Sequence, residues 1–481
     1  MTTTTTTGTL GDALLHDEQI KTAFNQIVEQ VAAYSAQITD VRPANTEMAT
    51  TFEQMLAQAG KIKGRPLMYP SISSGVGNGA LCEMADGSVK WDMLTGIGVH
   101  FLGHSNPKVI QAQLDAALLD TTKHGNLQTS FDAVTFGQRL VDHASKSSRL
   151  AHAFITTSGA MANESAIKVC YQKHAPASRV LAFENCFMGR SVTMAQIGDS
   201  AGGRQGVPLS TLVDYVPFWN KDQADAMGGA TKYIDSMIGR LEKYHTRYAG
   251  QISTFIFELV QGEGGFNVSN PDYLKALMEF CRDKRIAVWA DEIQTFGRTE
   301  QMFAYEYYGL GEYIDVLTVG KMTQACATMF TEEYNPKPGL LSGTFTGATV
   351  DFTVGNALLD ELASGENYGK DGKFAKHHAE FCRQVDLLIA KHPDWFPETD
   401  GIDGFCGGLG GMMRFTPFGG DKAKVGKVCR IAYDEGVICF YCGHGPFHVR
   451  MLPPLPVMKM EDWPRVFVCI ERAMGKVAAG S

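Results

Sequence analysis

Apolar and polar positions fall into three regimes along the chain. Between residues 14 and 40, apolar side chains recur at helical spacing (Ile20, Phe24, Ile27, Val28, Val31), which predicts an amphipathic N-terminal helix. Residues 1–13 open with a run of six threonines after Met1 and read as a disordered tail. From 60 to 105 the pattern shortens, and glycine-rich turns separate strands such as 81–85 and 89–93. Asp86-Gly87 between them is a hairpin signal.

From residue 107 onward the rhythm becomes α/β. Helices are expected over 107–119 and 130–144, a strand over 151–155 and a helix over 162–171. Strands follow over 180–183 and 254–257, then a helix over 272–284, and strands over 286–290 and 316–319. This alternation predicts a mostly parallel sheet with helices on both faces. After a helix over 350–362, mixed helices and short strands suggest a smaller α+β domain. The expected organisation is therefore a tail (1–13), an N-terminal helix and strands belonging to the small domain (14–106), a large domain (107–349) and a C-terminal small domain (350–481).

Length and composition support this division. A chain of 481 residues, 44% hydrophobic and 20% charged, has apolar material for more than one core. A net charge of −9 argues against a general nucleic-acid binder. No continuous apolar stretch has the length needed to span a bilayer, and the N-terminus lacks the charged flank and apolar core of a signal peptide. Eleven cysteines without framework spacing suit a reducing, cytoplasmic setting, most of them acting as small buried hydrophobes. Cys439 and Cys442 form a lone CxxC within a strand-like run. They lack the four-ligand spacing of a structural zinc site or the helix start of a redox motif, so no metal is expected.

The chemistry gathers where apolar runs end. The run 286–290 delivers Asp291 at its carboxyl end, and the run 314–319 delivers Lys321. In open parallel sheets ligands sit beyond the carboxyl ends of the strands. A carboxylate and an amine at that edge suit pyridoxal phosphate, whose ring nitrogen takes the anion and whose aldehyde takes the amine. Ser158-Gly159-Ala160 lies between a strand and a helix, where free amides and the helix dipole favour a phosphate; such turns are also often Ser/Gly-rich for capping alone. Phe187 could stack on a ring and Arg190 could clamp a carboxylate. Glu258 and Glu263 flank a glycine-containing turn at the end of another strand. Each of these also has a plainer reading as packing or a solvated surface charge.

Taken together and in order, the segments resemble the class III (ω-amino acid type) aminotransferases. The similarity runs from about Arg65 to the C-terminus. It rests on Asp92, Gly96-Ile97 and Leu102-Gly103-His104, on Glu258 to Gly265, on Ala290 to Thr295 with Gly297-Arg298-Thr299, and on Gly320-Lys321. The resemblance implies the aspartate aminotransferase-like fold of pyridoxal phosphate-dependent transferases, with a mostly parallel seven-stranded sheet in its large domain. It implies pyridoxal 5'-phosphate as cofactor, with Lys321 as the Schiff-base lysine and proton shuttle. Asp291 would pair with the ring nitrogen, Gln294 with the ring hydroxyl, and Phe187 would stack on the ring. Ser158, Gly159, Ala160 and Glu258 would complete the cofactor site. Thr344 would reach the phosphate of a neighbouring subunit, which implies a homodimer with shared sites.

For substrates, the resemblance implies that Arg190 holds the carboxylate of an ω-amino donor and Arg450 the α-carboxylate of 2-oxoglutarate. Glu263 would mask Arg450 while the donor is bound. The implied activity is ping-pong transfer of an amino group, in most cases a terminal one, from a diamino or ω-amino acid to 2-oxoglutarate. An aminomutase, a decarboxylase or an acetylornithine/ornithine-type enzyme would share the scaffold. Departures from the family pattern are Ala160 for Ser/Thr, Met188 for histidine, Leu259 for proline, and Gln324-Ala325-Cys326 for a glycine-rich turn. The residues after Lys321 stand nearer the lysine 6- and 4-aminobutyrate branches than the acetylornithine branch. A non-catalytic relative is disfavoured because Lys321, Asp291 and Gln294 are all present. A dinucleotide-binding oxidoreductase is disfavoured because no GxGxxG stands at a strand-to-helix turn.

Overall fold

The computed structural model describes residues 8–480. Its centre is a seven-stranded sheet. The strand order is Leu150–Thr156, Cys326–Thr331, Val316–Val319, Ala287–Glu292, Ile252–Phe257, Arg179–Phe183 and Val213–Val216. Only Cys326–Thr331 runs antiparallel, to both of its neighbours. The other six strands therefore point the same way, and their carboxyl ends share one edge. The inner strands are buried on both faces, which is why they read as continuous apolar runs rather than alternating ones.

The helices begin where capping residues dictate. Asn106 accepts the amide of Lys108 ahead of Pro107–Ala117, and Asn270 accepts those of Asp272 and Tyr273 ahead of Pro271–Asp283; each has proline in its first turn. Ser130 caps Phe131–Ala144 in the same way.

The chain ends build the second region. Ser73–Asn78, Leu81–Met84 and Val89–Asp92 form an antiparallel set, with the Asp86-Gly87 turn between the last two. Val437–Ile438 joins the set in parallel beside Val89–Asp92, so the N-terminal strands share a sheet with C-terminal chain. A second four-stranded sheet takes the order Cys406–Leu409, Met412–Phe415, His448–Met451, Phe440–Cys442.

Three sequence expectations need correction. The tail expected over 1–13 contains the start of a helix, Leu10–Leu15, whose first turn is capped by Thr9; residues 1–7 lie outside the described residues. The single helix expected over 14–40 is shorter, Glu18–Ser35, and starts at the Asp17 cap. The cysteines are not all free: Cys382 and Cys406 form a disulfide, while the other nine, Cys439 and Cys442 among them, are free and buried. Among the described residues no helix is long and apolar enough to cross a membrane.

Candidate active site

Five of the six co-directional strands deliver side chains to one cavity of about 380 Å³. The turn after Leu150–Thr156 supplies Ser158, Gly159 and Ala160; the segment after Arg179–Phe183 supplies Phe187, Met188 and Arg190. Glu258 and Glu263 follow Ile252–Phe257, Asp291 closes Ala287–Glu292, and Lys321 follows Val316–Val319. Gln294 lines the same space. A volume of this size suits a small aromatic cofactor with room for a substrate.

Asp291 is buried, and two groups hold its carboxylate. Asn163 Nδ2 donates to Oδ2 at 2.7 Å, and the Ile293 amide donates to Oδ1 at 2.9 Å. Burial nevertheless pushes its pKa up, against the opposing pull of Lys321. A buried carboxylate in that condition favours a cationic partner. The Lys321 ammonium is disfavoured for the same reason: burial lowers its pKa, which Asp291 and Glu263 partly oppose. That lowering favours the neutral amine, the form that attacks a carbonyl. Its backbone is left-handed, with φ 54°, a sparsely populated conformation of the kind found where a side chain is aimed at a site.

Glu258 is pushed up to about 8, chiefly by burial and then by the charge of Asp291; it accepts the amides of Phe187 at 3.1 Å and Gly262 at 3.2 Å. Ser158 caps the helix Gly159–His174 by accepting the Met161 amide at 3.3 Å. The amides of Gly159 and Ala160 fall in the first turn, where a helix offers no internal acceptors. A Cβ at Gly159 would lie 2.8 Å from Ile293 Cγ2, so glycine is needed for the turn to pack this closely.

Arg450 is fully buried and lies behind Glu263 rather than on the cavity wall. Its Nη1 donates to Glu263 Oε1 at 2.7 Å, while its Nε has no partner. Arg190 is exposed at the rim, 5.3 Å from the Phe187 ring centre, and donates to the Gly203 carbonyl at 2.8 Å. Thr344 is also exposed and stands apart from the cavity of its own chain.

Asn163 carries no role in the sequence reading. Besides Asp291, its Nδ2 reaches the Met188 carbonyl at 2.7 Å, so it ties two cavity segments together. The available signal was an asparagine inside a helix among small apolar residues, an unfavourable place unless its side chain has work elsewhere. The apolar walls Val260 and Ile293 were likewise unassigned.

The site fits a phosphorylated pyridine. Two buried acceptors on residues that line it, Gln294 Oε1 and Asn163 Oδ1, have no partner in the protein. The amine, the buried carboxylate and the open helix N-terminus match the aldehyde, the ring nitrogen and the phosphate of such a group.

Fold and cavity together define a pyridoxal phosphate-dependent transferase. The model for Aminotransferase class-III matches residues 70–474, and the chain belongs to that family. Its cofactor is accordingly pyridoxal 5'-phosphate. The chain is 29% identical over 388 residues to a 2-aminoadipate transaminase of Pseudomonas putida, covering 77% of this chain and 88% of that one. It is 30% identical over 420 residues to an acetylornithine aminotransferase of Oceanobacillus iheyensis, covering 85% and 93%. A 4-aminobutyrate aminotransferase of Mycobacterium bovis matches at 28% over 426 residues, covering 80% and 90%. Among solved structures, an ornithine aminotransferase of Toxoplasma gondii superposes with a TM-score of 0.73 at 20% identity, covering 92% of this chain and all of that one. Relatives named for different donors thus match at nearly equal identity.

Proposed function

We propose that the enzyme transfers an amino group from an ω-amino or diamino acid to 2-oxoglutarate, by a ping-pong mechanism. The observation that carries this reading is the placement of Lys321, Asp291 and the Gly159–His174 helix start around one cavity, with Glu263 on its wall and Arg450 paired behind it.

Pyridoxal phosphate, when bound, supplies an aldehyde and an electron-accepting ring. Lys321 Nζ would hold it and move the proton at the substrate carbon that bears the amine. The Asp291 carboxylate, fixed by Asn163 and the Ile293 amide, would stabilise positive charge at the ring nitrogen. Ser158, Gly159 and Ala160 would take the phosphate, Gln294 the ring hydroxyl, and Phe187 a ring face. Glu258 would complete the floor.

The walls suit an extended donor. Met188, Val260 and Ile293 offer apolar surface for methylene groups, and Arg190 at the rim suits a distal carboxylate. Glu263 stands between the cavity and Arg450, so it would mask the guanidinium while a donor is bound. Its displacement would free two or more N–H donors for the carboxylate of the acceptor. Thr344, exposed on its own chain, suits a homodimer in which it serves the partner's site. A cytoplasmic setting accords with nine buried free thiols.

Half-reactions test this directly. Arg450→Ala should impair the 2-oxoglutarate half-reaction by about a hundredfold, the scale of losing a charged contact, and the donor half-reaction far less. Equal losses in both would contradict the division of labour. A panel of lysine, ornithine, acetylornithine, 4-aminobutyrate and β-alanine identifies the donor.

A further inference from the structure

Outside the cavity, the small domain holds a second group of reactive side chains. His378 and Cys382 stand one turn apart on one face of the helix Lys373–Lys391, and Cys406 opens the strand Cys406–Leu409 packed against that helix. A ring nitrogen of His378 and the two sulfur atoms all lie within 4.8 Å of one another. The sulfurs are joined as a disulfide. The nine free cysteines are all buried, whereas these three residues are only half-buried and within reach of solvent.

A backbone contact sets the tautomer of this histidine. His378 Nδ1 lies 2.9 Å from the Gly410 carbonyl oxygen. A carbonyl only accepts, so Nδ1 carries the proton, and in the neutral ring Nε2 keeps its lone pair. Metal-bound histidines are commonly held this way, with the second nitrogen tied to a carbonyl or carboxylate.

We propose that His378, Cys382 and Cys406, once the disulfide is reduced, form a binding site for a zinc-class divalent cation, and that metal and disulfide are alternative states of this one pair of cysteines. Two thiolates and an imidazole suit zinc better than magnesium or calcium, and the two thiolate charges balance the cation. Three protein ligands leave a fourth, tetrahedral position for water.

The interconversion balances. A small-molecule dithiol delivers two electrons and two protons to the Cys382–Cys406 bond and leaves as its own disulfide. The cation then displaces the two thiol protons as two metal–sulfur bonds form. In reverse, a disulfide oxidant exchanges with the thiolates, takes up two electrons, restores the Cys382–Cys406 bond and releases the cation. In either state the strand Cys406–Leu409 stays fastened to its helix. That strand is hydrogen-bonded to Met412–Phe415, which in turn pairs with the strand carrying Arg450.

Cobalt(II) is the probe, because the d–d bands of its tetrahedral thiolate complexes lie to the red of the cofactor. Cofactor-loaded enzyme is reduced with a dithiol, desalted without oxygen and titrated with Co²⁺, beside enzyme left oxidised. The expected result is one equivalent of cobalt with thiolate-to-metal charge transfer and visible d–d bands, absent from the oxidised enzyme and removed by Zn²⁺. His378→Ala should keep the disulfide-forming thiols yet weaken cobalt binding about tenfold or more, and Cys382→Ser should abolish the intense tetrahedral d–d band. No such band in reduced wild-type enzyme would overturn the proposal. So would a band of equal intensity in oxidised enzyme, or one unchanged in Cys382→Ser. The comparison of oxidised with reduced wild type holds even where a variant fails to fold.

Discussion

Asp291 shows how much a buried charge depends on the side chains that hold it. Its carboxylate is out of water and destabilised by burial, and Asn163 is one of the two groups that fix it. Asn163→Ala would leave one Asp291 oxygen and the Met188 carbonyl without their side-chain donor, a loss of about 1–3 kcal/mol. The expected outcome is about tenfold or weaker pyridoxal phosphate affinity, read by cofactor titration; an unchanged affinity would contradict the positioning role. At this scale the sequence exposed what ends an apolar run. Asp291 and Lys321 are charges that interrupt buried strands, so both stood out. Asn163 did not, because its partners lie 25 and 128 residues away and only the fold brings them together. Glu292, next to Asp291, has a structural task of the same hidden kind: it accepts the amides of Ala304 and Tyr305 and anchors the following helix.

Among the elements, helices with caps and buried strands with continuous apolar runs were legible. The helix Gly159–His174 begins three residues earlier than its apolar period suggests, because Ser158 rather than the first hydrophobe sets the start. Strands with mixed patterns escaped notice. Val213–Val216 is an edge strand and only half-buried along most of its length. Cys326–Thr331 follows a tight turn at Gln324, φ 63°, whose side chain donates to the Val99 carbonyl at 3.0 Å. The segment after Lys321, read in the sequence as an altered turn, is therefore a turn that leads into the sheet's one antiparallel strand. His448 opens the strand that carries Arg450 and makes a prediction for its sheet. Burial first, and Arg414 second, lower its pKa to about 3, and its Nδ1 lies 2.8 Å from Thr416 Oγ1. The unfolded chain takes up the proton near pH 6.5, so this histidine's contribution is present above that pH and is lost as pH falls toward about 3. The slope in that window is about 1.4 kcal/mol per pH unit. His448→Gln should flatten the fall of melting temperature on acidification; parallel profiles for variant and wild type would contradict the assignment.

For the whole molecule, the sheet order places five strand ends around one cavity, which the alternation of elements foretold as an architecture but not as a strand order. The long-range pairing of N-terminal strands with Val437–Ile438 left no trace in local pattern. Assembly makes its own prediction. If Thr344 serves a partner's site, Thr344→Ala and Lys321→Ala chains, each of low activity, should recover activity when co-refolded. Random pairing gives mixed dimers with one complete site of two, about a quarter of wild-type activity. A mixture no more active than its parents would contradict shared sites.

The central claim is that Lys321 and Asp291 hold pyridoxal phosphate for amine transfer, and absorbance spectroscopy of the purified protein tests it most directly. The account predicts a visible band from lysine-bound cofactor that is lost on adding the correct amino donor and restored by 2-oxoglutarate, with neither change in Lys321→Ala. A protein that stays colourless after incubation with pyridoxal phosphate would contradict it, as would a Lys321→Ala variant whose band responds as the wild type does.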